Sequence, residues 1–154
     1  MMRPLFLRRI RSFGLAVALL LLASGCQSLG PGGLVTSRAS ADIPAAAATA
    51  IASDMANRFT EHVDPSSGAI GLKQDGSPFG QALEAALKGR GYAVISNQKT
   101  DGSGAIIPLA YVVEPFEGQV LARLSTKDVE LSRAYTVNGG GASPTSPLSV
   151  MRRG

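Results

Sequence analysis

From Ala46 onward apolar residues recur at three- and four-residue steps. Ala48, Ile51, Ala52, Met55, Ala56 and Phe59 form one stripe, and Asp54, Asn57, Arg58 and Glu61 fall off it. That period is the signature of a helix with one buried face. It predicts a helix over 46–62, entered after Pro44 and ended by the turn chemistry of Asp64-Pro65-Ser66-Ser67-Gly68. A short strand is expected at about 69–73. A second helix starts at Ser77, whose hydroxyl suits an N-cap, with Pro78 in the first helical position. Phe79, Leu83, Ala86 and Leu87 make its stripe, Glu84 and Lys88 form an i,i+4 pair on its surface, and Gly89 or Gly91 stops it.

The period then changes from helical to alternating. Tyr92–Ser96 reads as a strand, and three more are expected at about 105–114, 119–126 and 128–137. In the last of these Val129, Leu131, Tyr135 and Val137 share one face, with Arg133 as the polar exception. Pro115 with Gly118, and Thr126-Lys127-Asp128, mark two tight turns, and two tight turns in succession imply an antiparallel meander. Pro108 cannot donate to a ladder, so its strand is expected at an edge or bulged there. The expected fold is α+β: a small antiparallel sheet, meandering in the C-terminal half, with two helices packed on one face and a core of Ala, Val and Leu with few aromatics. The domain spans 46–137. The Gly/Pro/Ser-rich tail, 138–154, is expected to be loose, with a short last strand at Leu148–Met151 as the one element in it.

The first 25 residues follow a different logic. Met1–Arg11 holds four arginines and no acid, and Phe13–Ala23 is apolar. A bilayer-spanning helix needs about 20 apolar residues, so this run is too short to span, and it reads as a signal peptide whose arginines stay on the cytoplasmic side. It ends in Leu22-Ala23-Ser24-Gly25-Cys26, which resembles a bacterial lipobox. The resemblance implies cleavage between Gly25 and Cys26, a diacylglycerol on the Cys26 thiol and an acyl chain on the new amino group. No other cofactor is expected. Gln27, by analogy with lipoprotein sorting, implies delivery to the outer membrane of a Gram-negative cell, with the domain in the periplasm. Residues 26–45, rich in Gly, Ser, Pro and Ala, are expected to form a lipidated flexible tether.

Charge changes the picture once the leader is set aside. The whole chain carries +4, but from residue 26 onward 11 basic residues face 11 acidic ones. Nucleic-acid surfaces cluster unpaired Lys and Arg, so no direct nucleic-acid binding is expected. One cysteine and one histidine cannot make a Cys/His zinc site, which takes about four ligands, and no metal site is expected. His62 suits a helix C-terminus as a solvated ring. Gly139-Gly140-Gly141 lacks the lysine of a phosphate loop, Gly102-Ser103-Gly104 has no following helix, and Glu114 and Glu117 flank a turn. These give no catalytic residues, and no enzyme is expected. Arg133 and Tyr135, two apart on one strand face, have the composition favoured at protein interfaces, and are the candidate protein interface.

Pro108-Leu109-Ala110-Tyr111-Val112-Val113 ahead of a hairpin, Leu131-Ser132-Arg133-Ala134-Tyr135 two strands later, the lipobox and the chain length together resemble the conjugal transfer protein TrbH family. The resemblance implies a small lipoprotein of mating-pair formation, a form of type IV secretion, with assembly rather than catalysis as its role. The implied partners are other subunits of the conjugative transfer channel and the lipid bilayer, reached through the acyl anchor. The other reading of the same features is a periplasmic lipoprotein that binds a small ligand or cell-wall glycan.

Overall fold

The computed structural model describes residues 36–96 and 104–154. Strand β1 (Arg38–Ala39) is followed by helix α1 (Ala45–Thr60), a single 3₁₀ turn (Pro65–Ser67) and strand β2 (Ala69–Leu72). Helix α2 (Pro78–Gly89) and strand β3 (Val94–Ser96) come next. The remaining strands are β4 (Ile106–Phe116), β5 (Gln119–Ser125), β6 (Val129–Asn138), β7 (Gly141–Pro144) and β8 (Ser149–Arg152).

The expected stripes are the buried ones. Ile51, Ala52, Met55, Ala56 and Phe59 of α1 and Phe79, Leu83 and Leu87 of α2 pack against Leu109, Tyr111, Val113, Ala122, Leu124, Leu131 and Tyr135 of the sheet. The Ser77 hydroxyl caps α2 by accepting from the Gly80 N–H at 3.1 Å. The β4–β5–β6 meander is present, with Ala110 opposite Ser125 and Leu124 opposite Leu131. The β4–β5 turn carries Glu117 and Gly118 at φ 49° and 76°, the left-handed backbone that two-residue hairpin turns need. The fold is therefore α+β, with both helices over one face of the sheet.

Three expectations change. The sheet is mixed rather than antiparallel, because β2 pairs in parallel with both β3 and β4, and β1 in parallel with β4. A helix between β2 and β3 returns the chain to the same end of the sheet, so the two strands must run the same way. Aromatic rings, few as they are, supply the largest fully buried side chains: Tyr111, Tyr135, Phe59 and Phe79. Finally, neither flank of the 46–137 domain is loose where it is described. Ser37 and Ile43 are buried in the segment assigned to the tether. The tail turns at Gly139-Gly140 and runs back along β6 as β7, then β8.

The two flanks use one device. β2 occupies the β4 edge at 106–109 and β1 occupies it at 112–113. On the other side β8 occupies the β6 edge at 129–132 and β7 at 135–138. β7 and β8 are in effect one partner strand interrupted at 145–148, where Pro147 cannot donate and the register slips. Pro108 lies opposite Gly71 of β2, while the β5 ladder begins only at Ala110. The strand is thus paired on one side alone at the residue that lacks an N–H.

Candidate functional site

Cys26, its cleavage neighbour Gly25, and the leader lie outside the described residues. Arg133 and Tyr135 do share a face of β6, as their spacing requires, but that face looks inward. Tyr135 is 1% exposed and its hydroxyl donates to Asp54 Oδ2 of α1 at 2.6 Å. Arg133 donates to the same oxygen at 3.0 Å and, through Nε, to the Ser146 carbonyl at 3.0 Å. The pair thus ties α1, β6 and the tail together, and its polar atoms serve the domain's own packing rather than an outer surface. Burial, reinforced by the adjacent carboxylate, pushes the Tyr135 phenol far above its ordinary value. Asp54 was invisible as a partner in the sequence, since only the fold sets it opposite residues about 80 positions away.

A second knot fixes the N-terminal flank. Asp75, in the loop before α2, accepts from the Ala39 N–H through Oδ2 at 2.7 Å. Through Oδ1 it accepts from the Ser77 N–H at 3.0 Å and from the Tyr111 hydroxyl at 2.5 Å. The Ser37 hydroxyl accepts from the Tyr111 N–H at 3.1 Å, and Ser40 N–H donates to the Val113 carbonyl at 2.9 Å. Arg38 pairs with Glu114 on the surface at 2.5 Å. Partial burial opposes ionisation of Asp75, but the hydrogen bonds from Ser77, Tyr111 and Ala39 outweigh it and hold the carboxyl below its ordinary value. Tyr111 is pushed up to about 12 by burial and by its bond to Asp75. The Tyr111 hydroxyl sits where a side chain on α2 would be, and Gly80 makes that possible: a Cβ there would lie 2.2 Å from it. Beside this N-terminal strap, residues 37–40, an open groove of about 330 Å³ is lined by Arg38, Ala39, Ser40, Val113, Glu114 and Pro115.

A third knot fixes the C-terminal flank on the opposite sheet edge. Glu130, 8% exposed, accepts from Arg123 at 2.7 Å and from Arg153. Arg153 also donates to Ser125 Oγ at 3.1 Å and to the Thr126 carbonyl at 2.9 Å. Burial would raise the Glu130 carboxyl, but the two guanidiniums hold it below its ordinary value. Outside this clamp β8 is exposed along its length, with Val150 and Met151 at 39% and 50%.

His62 lies just beyond α1, 3.4 Å from Arg152 through Nδ1. Glu114 pairs with Arg38, not with Glu117. Gly139 and Gly140 form the β6–β7 turn, and Gly102 and Ser103 lie outside the described residues. Among the described residues no group of three or more His, Cys, Asp or Glu could hold a metal ion, and no helix is long and apolar enough to cross a membrane.

The sequence model described as "Conjugal transfer protein TrbH" matches residues 29–154, which takes in every described element. The chain belongs to the conjugal transfer protein TrbH family. A relative from Sinorhizobium fredii (strain NBRC 101917 / NGR234), named "Probable conjugal transfer protein TrbH", is 46% identical over 136 residues. That alignment covers 86% of this chain and 91% of the relative. No solved structure matches. In this TrbH-family chain the segments 108–113 and 131–135 lie in strands, and each carries the buried tyrosine of one of the knots: Tyr111 on β4 and Tyr135 on β6.

Proposed function

We propose that this protein is a lipid-anchored structural component that helps assemble the conjugative transfer apparatus of a Gram-negative cell. Membership of the TrbH family is the observation that carries the reading. In it, residues 1–25 direct export and are removed, Cys26 carries diacylglycerol and an N-acyl chain, and the domain works in the periplasm at the outer membrane. Two or more acyl chains are what lasting attachment takes, since one alone gives only marginal binding.

The strap at Ser37 gives this reading a length. Between Cys26 and Ser37 lie about 11 peptide units, which span at most about 40 Å even when fully extended. The domain is thereby confined to a thin layer next to the membrane, where its concentration toward partners in the same layer is raised without any added contact. The three knots support a scaffold role: each engages its carboxylate, Asp54, Asp75 or Glu130, in joining elements of the fold. Its partners are the channel subunits and the bilayer.

Deleting the gene in a donor strain tests the reading. Expected are loss of plasmid transfer, recovery by the intact gene supplied in trans, and cross-links from the domain to channel subunits in membranes of mating-competent cells. Normal transfer from the deletion strain would overturn it.

A further inference from the structure

The outer edge of β8 is an open ladder. Among the described residues β8 is bonded on one side only, to β6, in the register Val129↔Arg152, Glu130↔Met151, Leu131↔Val150 and Ser132↔Ser149. The Arg153 N–H donates to the Asp128 carbonyl at 2.8 Å, which fixes the phase of the ladder. In an antiparallel pair, bonded and non-bonded positions alternate, so Met151 and Ser149 turn their backbone groups toward β6. Val150 and Arg152 turn theirs outward, and those groups have no partner among the described residues.

Natural sheets blunt such an edge with proline, a bulge or an inward charge, because an unpaired row of N–H and C=O groups templates another strand. This one is left open, and it displays apolar side chains on both faces: Val150 at 39% exposed and Met151 at 50%. It is also firmly held. The Arg153 guanidinium on Glu130, Ser125 and Thr126 pins the strand just past the open stretch. An incoming strand therefore meets a rigid template rather than a frayed terminus.

The charge at the edge selects the occupant. Arg152 is exposed and makes no ion pair with a carboxylate among the described residues; its neighbour is the His62 ring at 3.4 Å, itself a basic group. The other arginines of this flank are committed: Arg123 and Arg153 to Glu130, and Arg133 to Asp54. A second copy of the chain joined edge to edge would supply another arginine rather than an acid.

We propose that β8 is a strand-addition site for an extended segment of a partner protein. The segment carries an acidic residue placed against Arg152 and apolar residues placed against Val150 and Met151. Backbone bonds to Val150 and Arg152 supply the attachment, and the side chains on either face supply the selection.

The test uses the full chain in mild detergent and two labelled peptides, one of the repeat Glu-Val-Val-Thr and the other of Lys-Val-Val-Thr, because Val150 and Arg152 share a face of β8 and the charge and a valine must therefore lie two apart. Binding is read by fluorescence anisotropy and by amide hydrogen exchange. The glutamate peptide is expected to bind at least tenfold more tightly than the lysine peptide, and to slow exchange at the Val150 and Arg152 amides. Val150→Pro removes an outward N–H and leaves the β6 ladder intact, so it should abolish binding with an unchanged circular dichroism spectrum. Met151→Lys, a milder change at a residue whose backbone faces β6, should weaken binding, and Arg152→Glu should reverse the preference between the peptides. Equal binding of the two peptides, or undiminished binding by folded Val150→Pro, would overturn the proposal. So would concentration-dependent dimerisation that Val150→Pro abolishes, since the occupant would then be a second copy.

Discussion

Replacing Gly80 with alanine sets two effects of known sign against each other. In a helix an alanine is more stable than a glycine by about 0.5–1 kcal/mol. Against that, the new Cβ would fall 2.2 Å from the Tyr111 hydroxyl, 2.9 Å from Gln74 Cγ and 3.1 Å from Asp75 Oδ1. The phenol cannot easily retreat. Tyr111 is fully buried, its hydroxyl is held by Asp75 at 2.5 Å, and its ring packs edge-on against Phe79 with centroids 5.0 Å apart. Overpacking of this kind costs about 1–3 kcal/mol, so Gly80→Ala should destabilise the domain by about 1–2 kcal/mol net. Tyr111→Phe alone should cost a further ~1–2 kcal/mol by removing a hydrogen bond to a charged acceptor. Together the two should cost less than their sum by about 1 kcal/mol or more, because deleting the hydroxyl removes the atom the new methyl strikes. Urea unfolding of the wild type and the three variants, followed by circular dichroism, completes the cycle. A stabilised Gly80→Ala variant, or strict additivity, would refute the close approach of helix and phenol.

Asp54→Ala strands the Arg133 guanidinium, 15% exposed, and the Tyr135 hydroxyl together. It should cost about 2–4 kcal/mol in urea unfolding, in line with breaking a largely buried pair, whereas Arg38→Ala, whose ion pair is exposed on both sides, should cost under about 1 kcal/mol. Asp75, Glu84 and Glu130 all ionise below their ordinary values of 3.8, 4.5 and 4.5 in the folded protein. Their contribution to stability is complete above those values and is lost as pH falls through the lower folded ones. The unfolding midpoint in urea should accordingly decline below about pH 4.5, and a flat profile down to pH 3 would count against the knots. The chain has three tyrosines, and all three are raised: Tyr92 and Tyr111 to about 12, Tyr135 further. Ultraviolet absorbance should show no phenol ionising near pH 10 while the fold persists. Stability should fall as pH rises from 10 toward 12, since the unfolded chain releases those protons first.

Helix positions, the buried stripes and the meander were legible because each rests on local periodicity: Ile51, Met55 and Phe59 at helical steps, Leu131 and Tyr135 at strand steps, Ser77-Pro78 as a helix start. Of the flanks only β8 was, as the short run Leu148–Met151 that overlaps it. β1 and β7 are two and four residues long, too short for a pattern to form. The prolines and glycines that mark loops, Pro144, Pro147 and Gly139–Gly141, here sit in turns and in a register break along a paired strand. The parallel pairing of β2 came from the helix between it and β3, which the sequence does contain, but β2 itself gives little alternation in Ala69-Ile70-Gly71-Leu72. Arg133 and Tyr135 were found as an unusual pair on one face, and their spacing told truly that they act together. It could not tell which way the face looks, because that depends on Asp54 arriving from a helix far away in sequence. Glu130 with Arg153, and Asp75 with Tyr111, were missed for the same reason.

Anchoring at Cys26 is the claim on which the assembly role turns, and one experiment reaches it directly. A donor strain is built in which the only copy of the gene encodes Cys26→Ser. Plasmid transfer frequency and the membrane content of the protein are measured side by side with the wild type. Expected are loss of the acylated, membrane-held form and a fall in transfer of at least tenfold, with the released domain still folded. Transfer at the wild-type frequency from a strain whose protein has left the membrane would contradict the anchored-scaffold role outright.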